Sequence, residues 1–145
     1  MEISIGRGLN KILFGMLQKD IENLLGLPSK KYRGEFDDIY WLYNDLKITL
    51  KFEKDEEYKL GWIEVKNPNS TLFSKKLISK STKDVIDFIS GKINDEIELN
   101  DYDSFESYTF NNNWLEIQSE YGIVTQINFG YLFDNEDNPI YPILE

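Results

Sequence analysis

Apolar residues recur at i, i+3 and i+4 twice along the chain, first as Ile21, Leu24 and Leu25 after Lys19-Asp20, then as Val85, Phe88 and Ile89 after Lys83-Asp84. That spacing puts each trio on one side of an α-helix. A helix is predicted over about residues 17–25, stopped by Gly26 with Pro28 two positions on. A second is predicted over about 82–90, with Ser81 as N-cap and Asp84 at the third helical position.

Elsewhere the period shortens to that of a strand. Strands are expected at residues 39–43, 46–52 and 59–66, and again at 105–110, 114–119 and 123–133. Asn44-Asp45 reads as a two-residue hairpin turn, which sets Trp41 opposite Ile48 and Tyr40 opposite Thr49, with Trp41 facing the core. Residues 1–17 read as a short strand or extended entry, 29–35 as a polar loop, and 95–103 as a solvated acidic loop with a possible short strand. Corresponding positions recur at nearly constant spacing: Asp20 with Asp84 and Ile63 with Ile127 at 64, Asn44 with Asn111 and Ile48 with Leu115 at 67.

The expected fold class is α+β, a single domain over residues 1–145. Two tandem helix-β-β-β repeats, about 1–78 and about 79–145, are expected to share one antiparallel sheet with the helices packed on one face. The tail is expected to pack back through Ile143-Leu144.

Composition removes much of enzyme chemistry. The chain has no Cys and no His, so it can form no disulfide, no thiolate or Ser-His-Asp nucleophile and no His- or Cys-ligated metal site. A carboxylate pair remains, Glu64 and Glu116, at matching places in the two halves. The acidic run from Asp95 to Glu106 lacks the glycine turn of a calcium loop, so neither a metal nor a cofactor is expected. The start, Met1-Glu2-Ile3-Ser4, has no basic segment before an apolar run, and a cytoplasmic protein is expected.

The net charge of -10 is unevenly spread. Residues 1–78 hold 13 Lys or Arg and 12 Asp or Glu, whereas residues 79–145 hold 3 and 14. Such a second half repels nucleic acid and anionic membrane and favours a basic partner, or else serves solubility alone.

Strand parity turns Tyr40, Trp62, Glu64, Trp114 and Glu116 away from the helices. Tryptophan and tyrosine so placed either anchor an interface or are covered by loops or the tail as a minor core. With Asp101 and Asp103 from the acidic run, these are the expected partner-binding residues; no catalytic residue is assigned.

Phe14-Gly15-Met16, a helix closing on Leu25-Gly26-Leu27-Pro28 and the aromatic strands after it together resemble the helix-plus-hairpin unit of the outer-membrane assembly lipoprotein family. Two such units in tandem resemble the beta-lactamase inhibitor protein family, although this chain lacks the cysteines for lipidation or disulfides. In size and acidity it is similar to the immunity proteins of bacterial polymorphic and contact-dependent toxins. That likeness implies a non-enzymatic inhibitor that binds a cognate toxin domain with a basic surface and occludes its active site. An uncharacterised structural or ligand-binding domain and a carboxylate-based hydrolase stand as alternatives.

Overall fold

Two helices form where the apolar trios place them, α1 at Gln18–Leu25 and α2 at Thr82–Ser90. At the start of α1 the Leu17 amide donates to Asp20 Oδ2 at 2.9 Å, so a carboxylate caps a turn that has no Ser or Thr. Gly26 ends it at a φ of 79°. In α2 the Asp84 amide donates to Ser81 Oγ at 3.5 Å, as the N-cap reading predicts.

The computed structural model describes residues 1–142, so the expected packing of Ile143 and Leu144 lies outside the described residues. The strands are β1 (Glu2–Ser4), β2 (Gly8–Leu9), β3 (Ile12–Leu13), β4 (Lys30–Arg33), β5 (Ile39–Tyr43), β6 (Ile48–Glu53) and β7 (Lys59–Val65). They continue with β8 (Thr71–Leu72), β9 (Ile97–Asp101), β10 (Glu106–Phe110), β11 (Leu115–Glu120), β12 (Ile123–Gly130), β13 (Leu132–Phe133) and β14 (Pro139–Ile140). Eight of them form one antiparallel sheet in the order β4-β5-β6-β7-β12-β11-β10-β9. The short strands β3, β2, β1 and β8 make a second sheet, and β13 pairs with β14.

This overturns the expected fold class. The chain is mainly β, built on a large eight-stranded sheet with two short helices, and not an α+β pair of tandem helix-β-β-β repeats. Two physical reasons account for the difference. β4, Lys30-Lys31-Tyr32-Arg33, is too charged to carry a period-2 signal and reads as a loop, whereas β9, where Ile97 and Leu99 alternate with Glu98 and Asn100, reads as at most a short strand inside an acidic loop. The N-terminal segment, expected as one short strand or an extended entry, folds into three short strands, and β1 pairs in parallel with β8, Glu2 beside Thr71.

The first hairpin also differs in register. Residues 44–47 form a four-residue turn, with Lys47 at a φ of 53°, so Trp41 pairs with Leu50 and Tyr40 with Lys51. The slip is two residues, which preserves faces, and Trp41 still points inward.

Inward residues of the large sheet, among them Trp41, Leu50, Ile63, Leu115, Ile127 and Phe129, form one core with Ile21 of α1, Val85 and Ile89 of α2, and Ile3, Leu9 and Leu72 of the small sheet. Both helices and the small sheet thus cover one face, and among the described residues no helix packs on the other. The two halves of the large sheet meet where β7 pairs with β12, Val65 beside Ile127 and Trp62 beside Gly130. Among the described residues no helix is long and apolar enough to cross a membrane.

Candidate functional site

Register fixes what the helix-free face presents. One row across the strands runs Tyr32, Tyr40, Lys51, Trp62, Gly130, and the next runs Leu42, Thr49, Glu64, Asn128, Glu116, Thr109. Burial alternates accordingly: β6 and β11 are buried at inward positions and partly exposed at outward ones.

Aromatic side chains dominate the first row. The rings of Tyr32 and Tyr40 stack with centroids 4.9 Å apart and planes 3° from parallel. Trp62 lies over its cross-strand neighbour Gly130: a β-carbon there would stand 2.8 Å from Trp62 Cε3 and 2.9 Å from the Gly61 carbonyl oxygen. Gly130 is therefore what lets the indole lie down on the sheet.

The second row is a hydrogen-bonded polar network. Glu116 accepts from Ser107 Oγ at 2.5 Å, from Asn128 Nδ2 at 2.8 Å and from Gln118 Nε2 at 3.2 Å, and Gln126 Nε2 donates to Asn128 Oδ1 at 2.8 Å. The two Glu116 oxygens are thus held by donors on three sides. Asn128 and Ser107 are buried within this network, although they sit on the open face. Glu64 and Glu116 flank Asn128 from its two neighbouring strands, so their backbones are about 9–10 Å apart and the buried amide fills the position between them.

Burial raises the Glu64 pKa above its ordinary value; Lys66 counters that shift and the charge of Glu116 adds to it. Glu53 is also raised by burial, against the opposing effect of the Tyr131 hydroxyl that donates to it at 2.9 Å. A carboxyl whose folded-state pKa is raised holds its proton more tightly in the folded chain. Its contribution is fully present below the unfolded-state pKa and is lost as pH rises through the folded-state value. The melting temperature is therefore expected to rise as pH drops from neutral toward the ordinary carboxylate range, and Glu64→Gln is expected to flatten that rise. Equal slopes for the two proteins in a melting series against pH rule out Glu64 as a source.

Trp114 stands at the end of the sheet rather than on it. The 3-10 turn Asn111–Asn113 leads into it, and its own φ of 46° is left-handed. Its ring packs on Phe133 at 4.9 Å, yet 44% of the residue stays exposed. Trp62, Thr109, Trp114 and Glu116 line a pocket of about 350 Å³ at this end. Of the residues expected to bind a partner, Trp62, Glu64, Glu116 and Trp114 are thus brought together, and Tyr40 lies two strands from Trp62 on the same face.

Asp101 and Asp103 do not join them. Asp101 lies on the edge strand β9 with the parity of the inward residue Phe110, and Asp103 in the turn after it, its amide donating to Asp101 Oδ1 at 2.9 Å. Another acid of the same run has a structural duty. Asp95 clamps the Asn111–Asn113 turn, accepting from the amides of Asn112 and Asn113 at 2.9 and 3.2 Å and from their side chains at 3.1 and 2.8 Å. Among the described residues, no group of three or more acidic side chains converges as a metal site would require.

Tyr32 and Ser107 are members of this face that the hydrophobic pattern does not reveal. Tyr32 sits among Lys30, Lys31 and Arg33, where its one hint is the outward parity it shares with Tyr40 once the Gly34 turn is recognised. A separate apolar pocket of about 500 Å³, lined by Met1, Leu9, Ile12, Leu24, Leu25 and Leu46, opens between α1 and the small sheet.

No family model matches this chain, and no curated protein matches it. A similar solved structure is that of an extracellular protein containing an SCP domain from Bacillus anthracis str. Ames, with a TM-score of 0.57 and 11% sequence identity. The match covers 100% of this chain and 54% of that one, so the chain spans about half the length of the protein it resembles. At that identity the likeness is one of fold.

Proposed function

We propose that this chain is a non-enzymatic protein-binding inhibitor, in concrete form a cytoplasmic immunity protein that occludes the active site of a cognate bacterial toxin domain. The observation that carries the reading is the helix-free sheet face, where Trp62 and Trp114 flank a pocket beside Glu116. Aromatic anchors next to a hydrogen-bonded polar network match the usual anatomy of interface hot spots. The carboxylates Glu64 and Glu116 on that face, within a chain of net charge -10, favour a partner with a basic surface. Asn128, wedged between the two acids, fills the place a substrate would need for carboxylate-pair hydrolysis.

The test is binding to the C-terminal domain encoded by the reading frame directly upstream. Trp62→Ala and Trp114→Ala are each expected to weaken that complex about 30-fold or more, the effect of losing about 2 kcal/mol at a hot spot. Circular dichroism and melting temperature should stay close to wild type. Two variants that bind like wild type would remove this face from the interface.

A further inference from the structure

The large sheet ends in two strands of opposite charge. On one side is β4, Lys30-Lys31-Tyr32-Arg33, with all four residues exposed; on the other is β9, Ile97-Glu98-Leu99-Asn100-Asp101, with four of five exposed. Among the described residues the ion pairs are Lys51 with Asp38 and Lys54 with Asp37, so no base of β4 has a carboxylate within 4 Å. Lys31 instead rests its ammonium over its neighbour Trp41, 4.6 Å from the ring centroid.

Backbone alternation shows which groups each edge leaves free. The Gly34 amide donates to the Asp38 carbonyl, so in the same ladder Tyr32 and Lys30 exchange bonds with β5, and the amides and carbonyls of Lys31 and Arg33 face outward. On β9 the Tyr102 amide donates to the Phe105 carbonyl, which by the same alternation leaves those of Ile97, Leu99 and Asp101 facing outward. Side chains of both outward sets lie on the helix side of the sheet. Because every neighbouring pair is antiparallel across an even number of strands, β4 and β9 have opposite polarity within the sheet, so a second copy that continues the sheet presents its β9 antiparallel to β4.

We propose that β4 accepts β9 of a second copy of this chain as its next strand, so that the large sheets join edge to edge in a head-to-tail array. Placed antiparallel with faces matched, the incoming Leu99 and Asp101 lie on the side of β4 where Lys31, Arg33, Ile39 and Trp41 line a pocket of about 290 Å³. Main-chain bonds supply the attachment and that pocket the selectivity, as in other strand-addition complexes. Charge also decides which edges meet: β4 against β4 sets bases beside bases and β9 against β9 acids beside acids, so the mixed pair alone is attractive. The contact joins two different surfaces and does not close on itself, hence an open array. A pair of strands this short is a small contact, so the association is weak and sensitive to salt.

Sedimentation of the full chain tests this. Between about 10 μM and about 1 mM protein in low salt, weight-average mass is expected to rise at least about twofold, and to return to that of the monomer at about 500 mM salt. Lys31→Pro removes an outward amide while sparing the bonds to β5, and is expected to abolish the rise without changing the circular dichroism. Two charge reversals, Lys31→Glu with Arg33→Glu in one protein and Glu98→Lys with Asp101→Lys in another, should each stay monomeric alone and associate when mixed. Trp62→Ala should associate like wild type, which separates this edge contact from the sheet-face interface. A chain that is monomeric at every concentration in low salt, association that survives in either reversed protein alone, or a mixture that stays monomeric overturns the proposal.

Discussion

Phe129→Ala is expected to lower the free energy of unfolding by about 3–5 kcal/mol, the range for emptying a phenylalanine site in a closed core. Phe129 is fully buried on β12, with Ile63 and Leu115 as its neighbours on the two adjoining strands. Its ring meets Phe14 edge-on at 5.4 Å, which ties the N-terminal segment to the large sheet. Relaxation into the cavity is restricted because β12 is held by hydrogen bonds on both sides. A domain of this size commonly has 5–15 kcal/mol in all, roughly, so the variant should unfold at much lower denaturant concentration with little change in slope. A loss below about 1 kcal/mol would mean that the site closes up freely, against the packing described.

Gly8→Ala carries the next largest expected effect, about 2–4 kcal/mol, from backbone strain and overpacking together. Gly8 has a φ of 152°, and a β-carbon there would stand 1.9 Å from the Ile12 carbonyl oxygen and 3.0 Å from Leu13 Cα. Both obstacles are backbone, so no side-chain rotation relieves them. Because β2 holds β1 and β1 holds β8, the damage should spread to the whole small sheet. Amide hydrogen exchange locates it: protection should fall first at Ile3, Leu9 and Thr71, whose amide donates to the Met1 carbonyl, and loss of protection confined to the large sheet would contradict this assignment.

Wherever one side of an element meets the core, the sequence is readable. Both helices begin and end close to where their apolar spacing and caps place them, and six of the eight strands in the large sheet follow from alternation. β4 is hidden because three of its four residues are charged, on both faces, which leaves no period to detect; in β9 the alternation of Ile97 and Leu99 with Glu98 and Asn100 exists but is short and set in an acidic run, so it reads as at most a short strand in a loop. The hairpin register is hidden for a different reason: Asn44-Asp45 suggests a tight turn, and the left-handed Lys47 that closes a longer one gives no sequence signal. At the candidate site, parity correctly turned Trp62, Glu64 and Glu116 outward. It could not show that Asn128 and Ser107 are buried among polar partners, nor that Trp114 leaves the strand through a left-handed backbone, because both depend on cross-strand neighbours.

The eight strands of the large sheet also set a shape. Seven steps of about 4.8 Å span roughly 34 Å, and a twist of about 20–25° at each step turns the two outermost strands by roughly 140–175° relative to one another. What register displays as a plane is therefore a saddle, with Trp62 near its centre and the tyrosine pair toward one flank. A flat partner surface touches such a saddle over its middle strands alone. To engage Tyr32 and Trp114 together it must curve in the opposite sense, as the walls of a cleft do when they straddle a ridge.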